Sequence, residues 1–165
     1  MQEKARLFAI AAHAAIGQLR KYTNEPYWIH PCQVAEIVST VKHTDAMIAA
    51  AYLHDVVEDT NITIGLIRDH FSDEIANMVE WLTDISTKED GNRAIRKTID
   101  REHVKNADAD SKTIKLADII SNTISIKEND PNFFKVYSAE IKLLLEVLKE
   151  GDSTLLKYIQ ELLES

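Results

Sequence analysis

Cysteine occurs once in this 165-residue chain, at Cys32, so no disulfide can form within it and a reducing compartment is expected. Glycine and proline are also scarce, four and three residues respectively. With long stretches rich in Ala, Leu, Ile, Glu and Lys, that scarcity is the composition of an all-helical protein. No apolar run reaches membrane-spanning length, which excludes a transmembrane segment on this reading. The opening MQEKARLFAIAAHAAIGQLRK carries Glu3 and Lys4 on an amphipathic pattern, so it reads as a helix and not as a signal peptide. Positive charge is in deficit: the formal net charge is −8, which speaks against nucleic-acid or anionic-membrane partners. A small anionic ligand is still compatible, because a metal and a few local cations can reverse the sign inside one cleft. A soluble, cytoplasmic protein is the expectation.

No repeat, linker or low-complexity tract divides the chain, so residues 1–165 read as a single domain with room for a real core. No segment alternates with period two for long enough to make a strand. The patterns predict a helical bundle of about eight helices. A first helix covers roughly 2–19, and a loop follows over Lys21–Tyr27. A second helix covers about 31–42, with Pro31 near its start. Thr44 caps a third helix ending near Asp59, and Thr63 and Ser72 cap two more, the latter with Asp73 and Glu74 in its first turn. Asp130–Pro131 opens a helix running toward Gly151, and Asp152 or Ser153 starts the last one. Thr87–Asp110 is polar and charge-rich and reads as a mobile loop followed by a short helix.

What stands out is the stretch Ala49–Thr60, AAAYLHDVVEDT. His54 and Asp55 sit side by side in an apolar helical run, and Glu58 and Asp59 follow one turn later on the matching faces. Burying one unpaired carboxylate costs several kcal/mol, and no basic residue lies within the segment to offset three. A divalent metal is the economical answer; a network with Arg or Lys from elsewhere is the alternative. His30, in Tyr27-Trp28-Ile29-His30-Pro31, and Asp118, interrupting the apolar TIKLADIISNT, are the candidates to complete the ligand set. Lys115 is the competing partner for Asp118. Two His and two Asp suit manganese, iron or zinc better than calcium or a thiolate-loving metal. Glu58 and Asp59 would then be acid–base groups beside the metal.

The ordered set His30, His54-Asp55 and Asp118 resembles the HD-domain metal-dependent phosphohydrolases, and more narrowly the RelA/SpoT hydrolase domain and the small alarmone hydrolases. The match runs through Gly17-Gln18-Leu19-Arg20-Lys21, Glu25-Pro26-Tyr27, His30-Pro31, LHDVVEDT, Trp81-Leu82-Thr83-Asp84 and IKLAD with Asn122. It spans roughly residues 5–125. The resemblance implies His30, His54, Asp55 and Asp118 as ligands, usually of Mn2+, with Glu58 and Asp59 positioning or deprotonating the attacking water. It implies that Arg20 stacks on the base, that Lys21 lies beside it at the nucleotide, and that Asn122 contacts the sugar region.

Three positions depart from the family pattern. Ala15 stands where a His is frequent. Asn24 stands where a Gly is common, and Asn also tolerates the left-handed conformation. Ile119 stands where long alarmone enzymes carry Arg. None of these removes a ligand. The function so implied is removal of the 3′-pyrophosphate of guanosine tetra- or pentaphosphate, giving GDP or GTP and pyrophosphate. The alternatives are an HD phosphohydrolase acting on another nucleotide or a nucleotide cofactor phosphate, and a non-catalytic nucleotide-binding module. Arg93, Lys97 and Arg101 are spaced four apart, and that stripe is a candidate to neutralise substrate phosphates; a solvated face with Asp100 and Glu102 is the alternative.

Overall fold

A side-chain oxygen caps the start of most helices, and these caps partition the chain. In the computed structural model, which describes residues 1–165, Thr44 accepts from the Met47 amide, Thr63 from Leu66 and Ser72 from Ile75. Asn92, Asp108, Asp130 and Asp152 act in the same way for the later helices. Each cap satisfies an amide that the helix itself cannot, a contribution of about 1 kcal/mol. Ten α-helices result: α1 Gln2–Ala15, α2 Ile29–Ser39, α3 Asp45–Leu53, α4 Val56–Asp59, α5 Ile64–His70, α6 Asp73–Leu82, α7 Arg93–Lys105, α8 Ala109–Asn129, α9 Pro131–Leu145 and α10 Ser153–Glu164. A 3-10 turn at Lys88–Asp90 precedes α7, and the only β pairing is an isolated Leu19–Pro26 bridge. No helix is long and apolar enough to cross a membrane.

The caps at Thr44, Thr63, Ser72 and Asp130, and Pro131 in the first turn, stand where the sequence places them. The count exceeds eight because the helix expected to end near Asp59 breaks in the middle. α3 stops at Leu53 and α4 restarts at Val56, with Asp55 at φ −99°, ψ −5° in the joint. Neighbouring residues on a straight helix do not face one another; the joint lets His54 and Asp55 face the same site. Three other boundaries shift. α1 ends at Ala15 and not 19, because Gly17 takes φ +62° and reverses the chain. α2 starts two residues earlier and ends three residues earlier than 31–42, with Pro31 inside its first turn, where its missing N–H is not needed. The loop and short helix expected over Thr87–Asp110 are a 3-10 turn followed by the longer regular helix α7, capped by Asn92 and partly exposed, with Val104 as its one buried residue. Asn24 adopts φ +57°, the left-handed conformation expected of it.

α3 and α8 form the core. α3 is buried from Met47 through Ala51 and again at Leu53, and α8 is buried over most of Ser111–Thr123. α1, α2 and α6 pack on α3, while α2, α6, α9 and α10 pack on α8. The fully buried Ala49, Ala50, Ala51, Ala5, Ala76 and Ala117 let the helix axes approach closely. Close approach also fixes Gly151: a Cβ there would lie 2.8 Å from Leu116 Cδ1 and 3.1 Å from the Lys112 backbone. The two core helices and α2 converge, and their polar residues converge with them.

Candidate metal centre

Four side chains from three separate places meet where α2, α3 and α8 converge. His30 comes from the first turn of α2, His54 and Asp55 from the α3–α4 joint, and Asp118 from the middle of α8. One ligand atom each from His30, His54 and Asp55 lies within 4.8 Å of the other two. Asp55 Oδ2 is 3.6 Å from His30 Nε2 and 3.2 Å from His54 Nε2. Asp118 Oδ1 is 3.1 Å and 3.6 Å from the same two nitrogens. Both rings are buried, and Asp118 is 6% exposed.

The hydrogen bonds on the far side of each ring settle what faces inward. His54 Nδ1 is 2.7 Å from the Ala51 carbonyl, which can only accept, so that nitrogen carries the proton. His30 Nδ1 is 2.9 Å from Ser121 Oγ, whose own proton goes to Gln33 Oε1 at 3.1 Å. Both rings therefore aim Nε2 at the carboxylates, and His54 Nε2 is buried without a hydrogen bond. Two imidazole nitrogens and two carboxylate oxygens turned on one point demand positive charge. Burial pushes the His54 imidazolium down, but Asp55 and Asp118 outweigh it and hold its pKa well above the ordinary value. Burial likewise opposes ionisation of Asp55 and Asp118; His54 beside the first, and Lys115 and the two rings beside the second, hold both below the usual carboxylate range. The donor set, with each Nδ1 pinned outward, fits a divalent first-row cation.

Surrounding groups orient this cluster. The Tyr27 hydroxyl donates to Asp55 Oδ2 at 2.5 Å, and burial followed by that carboxylate raises its pKa. Lys115 Nζ binds Asp118 Oδ2 at 2.9 Å, while Asn122 donates to Oδ1 at 2.8 Å. The two sequence readings of Asp118, partner of Lys115 and member of the His–Asp cluster, are thus both true, one oxygen each.

Glu58 and Asp59 adjoin the cluster but point to different walls. Glu58 Oε2 accepts the Asp84 amide at 3.1 Å. Solvent reaches Glu58, yet protein atoms surround it, and this burial, with Asp84 and Asp55 nearby, pushes its carboxyl up to about 7. Asp59 Oδ2 accepts from Gln18 Nε2 at 3.0 Å. Its pKa is also raised, by burial first and then by Asp55.

Two clefts flank the cluster and meet at Asn122. One, of about 190 Å³, is lined by Arg20, Lys21, Tyr22, Tyr27, His30 and Phe133. Arg20 there donates to Gln33 at 2.8 Å, and Lys21 lies over the rings of Tyr22 and Phe133 at 5.2 and 5.7 Å. The other, of about 130 Å³, is lined by Trp81, Asp84, Lys97, Arg101, Lys115, Ile119 and Tyr137 among others. Arg20, Lys21 and Asn122 are brought together, and Lys97 faces the second cleft. Arg93 also lines that cleft, but its guanidinium is engaged by Glu140 in two bonds of 2.6 and 2.9 Å and lies 5.2 Å over Phe133. Sequence reasoning gave no role to His13, which contacts Gln18 at 2.8 Å, or to Asp84. The signal at 13 was a lone polar residue on the buried face shared with Ala5 and Ala9.

Comparison with known proteins places the chain in a family. A family model described as "HD domain" matches residues 5–143. A guanosine-3′,5′-bis(diphosphate) 3′-pyrophosphohydrolase, MESH1 of Xenopus tropicalis, is 40% identical over 108 residues, which is 64% of this chain and 59% of that protein. A probable guanosine-3′,5′-bis(diphosphate) 3′-pyrophosphohydrolase of Synechocystis is 45% identical over 83 residues, 50% of this chain and 10% of that protein. The chain therefore spans from about a tenth to three fifths of these relatives' lengths. The fold matches the solved structure of a metazoan ortholog of SpoT, reported to hydrolyse ppGpp, with a TM-score of 0.87 at 24% identity over 99% of this chain and 93% of that one. It also matches lmo0812 of Listeria monocytogenes, with a TM-score of 0.71 at 26% identity over 87% and 97% of the two chains.

Proposed function

The chain belongs to the HD-domain family, and on that premise we propose that it is a metal-dependent hydrolase removing the 3′-pyrophosphate of guanosine-3′,5′-bis(diphosphate) or its triphosphate analogue. The observation that carries this reading is the convergence of His30, His54, Asp55 and Asp118 with both Nε2 atoms turned inward. These four are the proposed ligands, and Mn2+ is the proposed ion, because it suits a mixed set of two imidazole nitrogens and two carboxylate oxygens. Held by these residues, a divalent cation would supply Lewis acidity.

The chain's own residues do the rest. Glu58, poised at about 7, takes a proton from the water at neutral pH. Asp59, fixed by Gln18, orients that water. As the water oxygen bonds to phosphorus, the bond from phosphorus to the 3′-oxygen breaks and that oxygen takes up a proton. Arg20 stacks on the base, Lys21 and Tyr22 line the same cleft, and Asn122 meets the sugar between the two clefts. Lys97 and Arg101 supply charge to phosphates in the second cleft, with Arg93 at its edge. A cytoplasmic location and a role in starvation signalling accord with such a substrate.

A second reading, hydrolysis of another nucleotide or nucleotide cofactor phosphate, draws on Ile119. With Trp81, Val104, Ile141 and Leu144 it gives the second cleft an apolar wall that a polyphosphate does not need. The deciding experiment is a nucleotide panel with manganese, scoring pyrophosphate against orthophosphate, with Asp55→Ala as the blank. Pyrophosphate release confined to guanosine 3′-diphosphates supports the proposal. Faster turnover of another nucleotide replaces it with the second reading, and tight binding without turnover in manganese replaces both with a sensor.

A further inference from the structure

His13 is an expensive residue for its position. It is wholly buried on the face of α1 that otherwise presents Ala5 and Ala9, and an apolar side chain would occupy that place without a polar atom to satisfy. Its Nδ1 is 2.8 Å from Gln18 Oε1, and Gln18 Nε2 is 3.0 Å from Asp59 Oδ2. The amide's direction follows from chemistry: an ionised carboxylate only accepts, so the NH2 end faces Asp59 and the oxygen faces the ring. His13 Nδ1 is then the donor, and Nε2 is the buried nitrogen left without a partner.

The backbone is shaped for this contact. Gly17, at φ +62°, folds the chain back so that the Gln18 amide bonds the His13 carbonyl at 3.2 Å. A histidine at position 15 is therefore not required: the reversal presents position 13 to Gln18. The same ring lies 5.0 Å from that of Tyr27, whose hydroxyl holds Asp55. One buried imidazole thus backs both an acid–base candidate and a metal-ligand candidate.

We propose that His13 and Gln18 are positioning residues, a buried relay from α1 that fixes the direction of the Asp59 carboxylate. The inference rests on the hydrolase reading for its consequence in catalysis, but not for its geometry. Asp59 is faced by Asp55 on its own segment, by His13 and Gln18 from the α1 side, and by His54 from the end of α3. Gln18 supplies the hydrogen bond among these, so its loss frees the carboxylate to rotate.

Gln18→Leu keeps the bulk and removes both bonds. In the manganese-loaded enzyme it is expected to lower kcat roughly tenfold to a hundredfold, with KM and manganese affinity within about twofold. His13→Leu is expected to act in the same direction but less. The double variant should cost little beyond Gln18→Leu alone, because the two residues act as one unit. A second readout uses no substrate: the Asp59 carboxyl, followed by carbon-13 NMR and assigned with Asp59→Asn, should titrate at higher pH in Gln18→Leu. An unchanged Asp59 titration overturns the inference, as does wild-type kcat in Gln18→Leu. If His13→Leu fails to fold, Gln18→Leu still decides. If the wild-type protein hydrolyses none of the nucleotides, the functional reading fails alone and the titration judges the relay.

Discussion

The two walls beside the metal centre are built on different principles. On the α1 side, His13, Gln18 and Asp59 form one chain and Tyr27 and Asp55 a second pair, held by bonds of 2.5 to 3.0 Å among half-buried or buried groups. On the α6–α7 side, Arg93 pairs with Glu140 while about 46% exposed, and Lys97 and Arg101 carry no ion pair. The first wall fixes directions, where loss of one bond strands a buried partner. The second supplies charge, where solvent and salt dilute each contribution. Substitutions of comparable size should therefore have unequal consequences, in a definite order.

Removing a ligand tests the floor beneath both walls and should do most damage. Asp118→Asn is expected to lower kcat/KM by more than about a thousandfold and to abolish the rise in Tm on adding manganese. A variant that keeps that rise would move the metal elsewhere. Next comes Glu58→Gln, expected to lower kcat roughly a hundredfold or more while the manganese-dependent rise in Tm survives.

The same residue gives a pH test. Its folded carboxyl titrates at about 7 against an ordinary 4.5, so the folded state penalises ionisation, and stability drains as pH rises from about 4.5 through 7. In metal-free protein Glu58→Gln should therefore melt above wild type at pH 8 and level with it at pH 4. In activity, the acid limb of kcat/KM falls at or below 7, since a bound cation lowers the carboxyl, and the limb should vanish in the variant.

Charge on the other wall should matter less. Lys97→Ala is expected to raise KM about threefold to tenfold at low salt, with kcat within twofold, and the effect should shrink in 0.5 M salt. Arg93→Ala should be mildest, at most about 1 kcal/mol in urea unfolding, because the Glu140 pair is half exposed. A large loss of kcat in Lys97→Ala or Arg93→Ala would erase the contrast between the walls.

The walls were also unequally legible in the sequence. His54, Asp55 and Asp118 announced themselves because each interrupts an apolar helical run, and His30 became persuasive as part of an ordered set. Caps at Thr44, Thr63 and Ser72 were legible because capping is chemistry local to three or four residues. The break between α3 and α4 was not, since the apolar period continues unbroken through LHDVVEDT. α7 is longer than the short helix the sequence suggests, because its apolar residues Ile95, Ile99 and Val104 stand among many charges, with one residue buried. His13 was hidden for another reason. Its partner lies five residues on, past a left-handed glycine, a spacing that matches neither helix nor strand. Arg93 looked free because Glu140 is forty-seven residues away.

One more asymmetry lies in how the two inward-facing rings are held. His54 is locked by a backbone carbonyl, that of Ala51, and His30 by the hydroxyl of Ser121, itself held by Gln33. No amino-acid exchange at position 51 can delete a main-chain oxygen, so the first lock is out of reach of point mutation so long as the helix survives. The second lock is written in side chains and can drift. Variation in metal preference among descendants of this sequence should accordingly accumulate at 121 and 33, leaving all four ligands untouched.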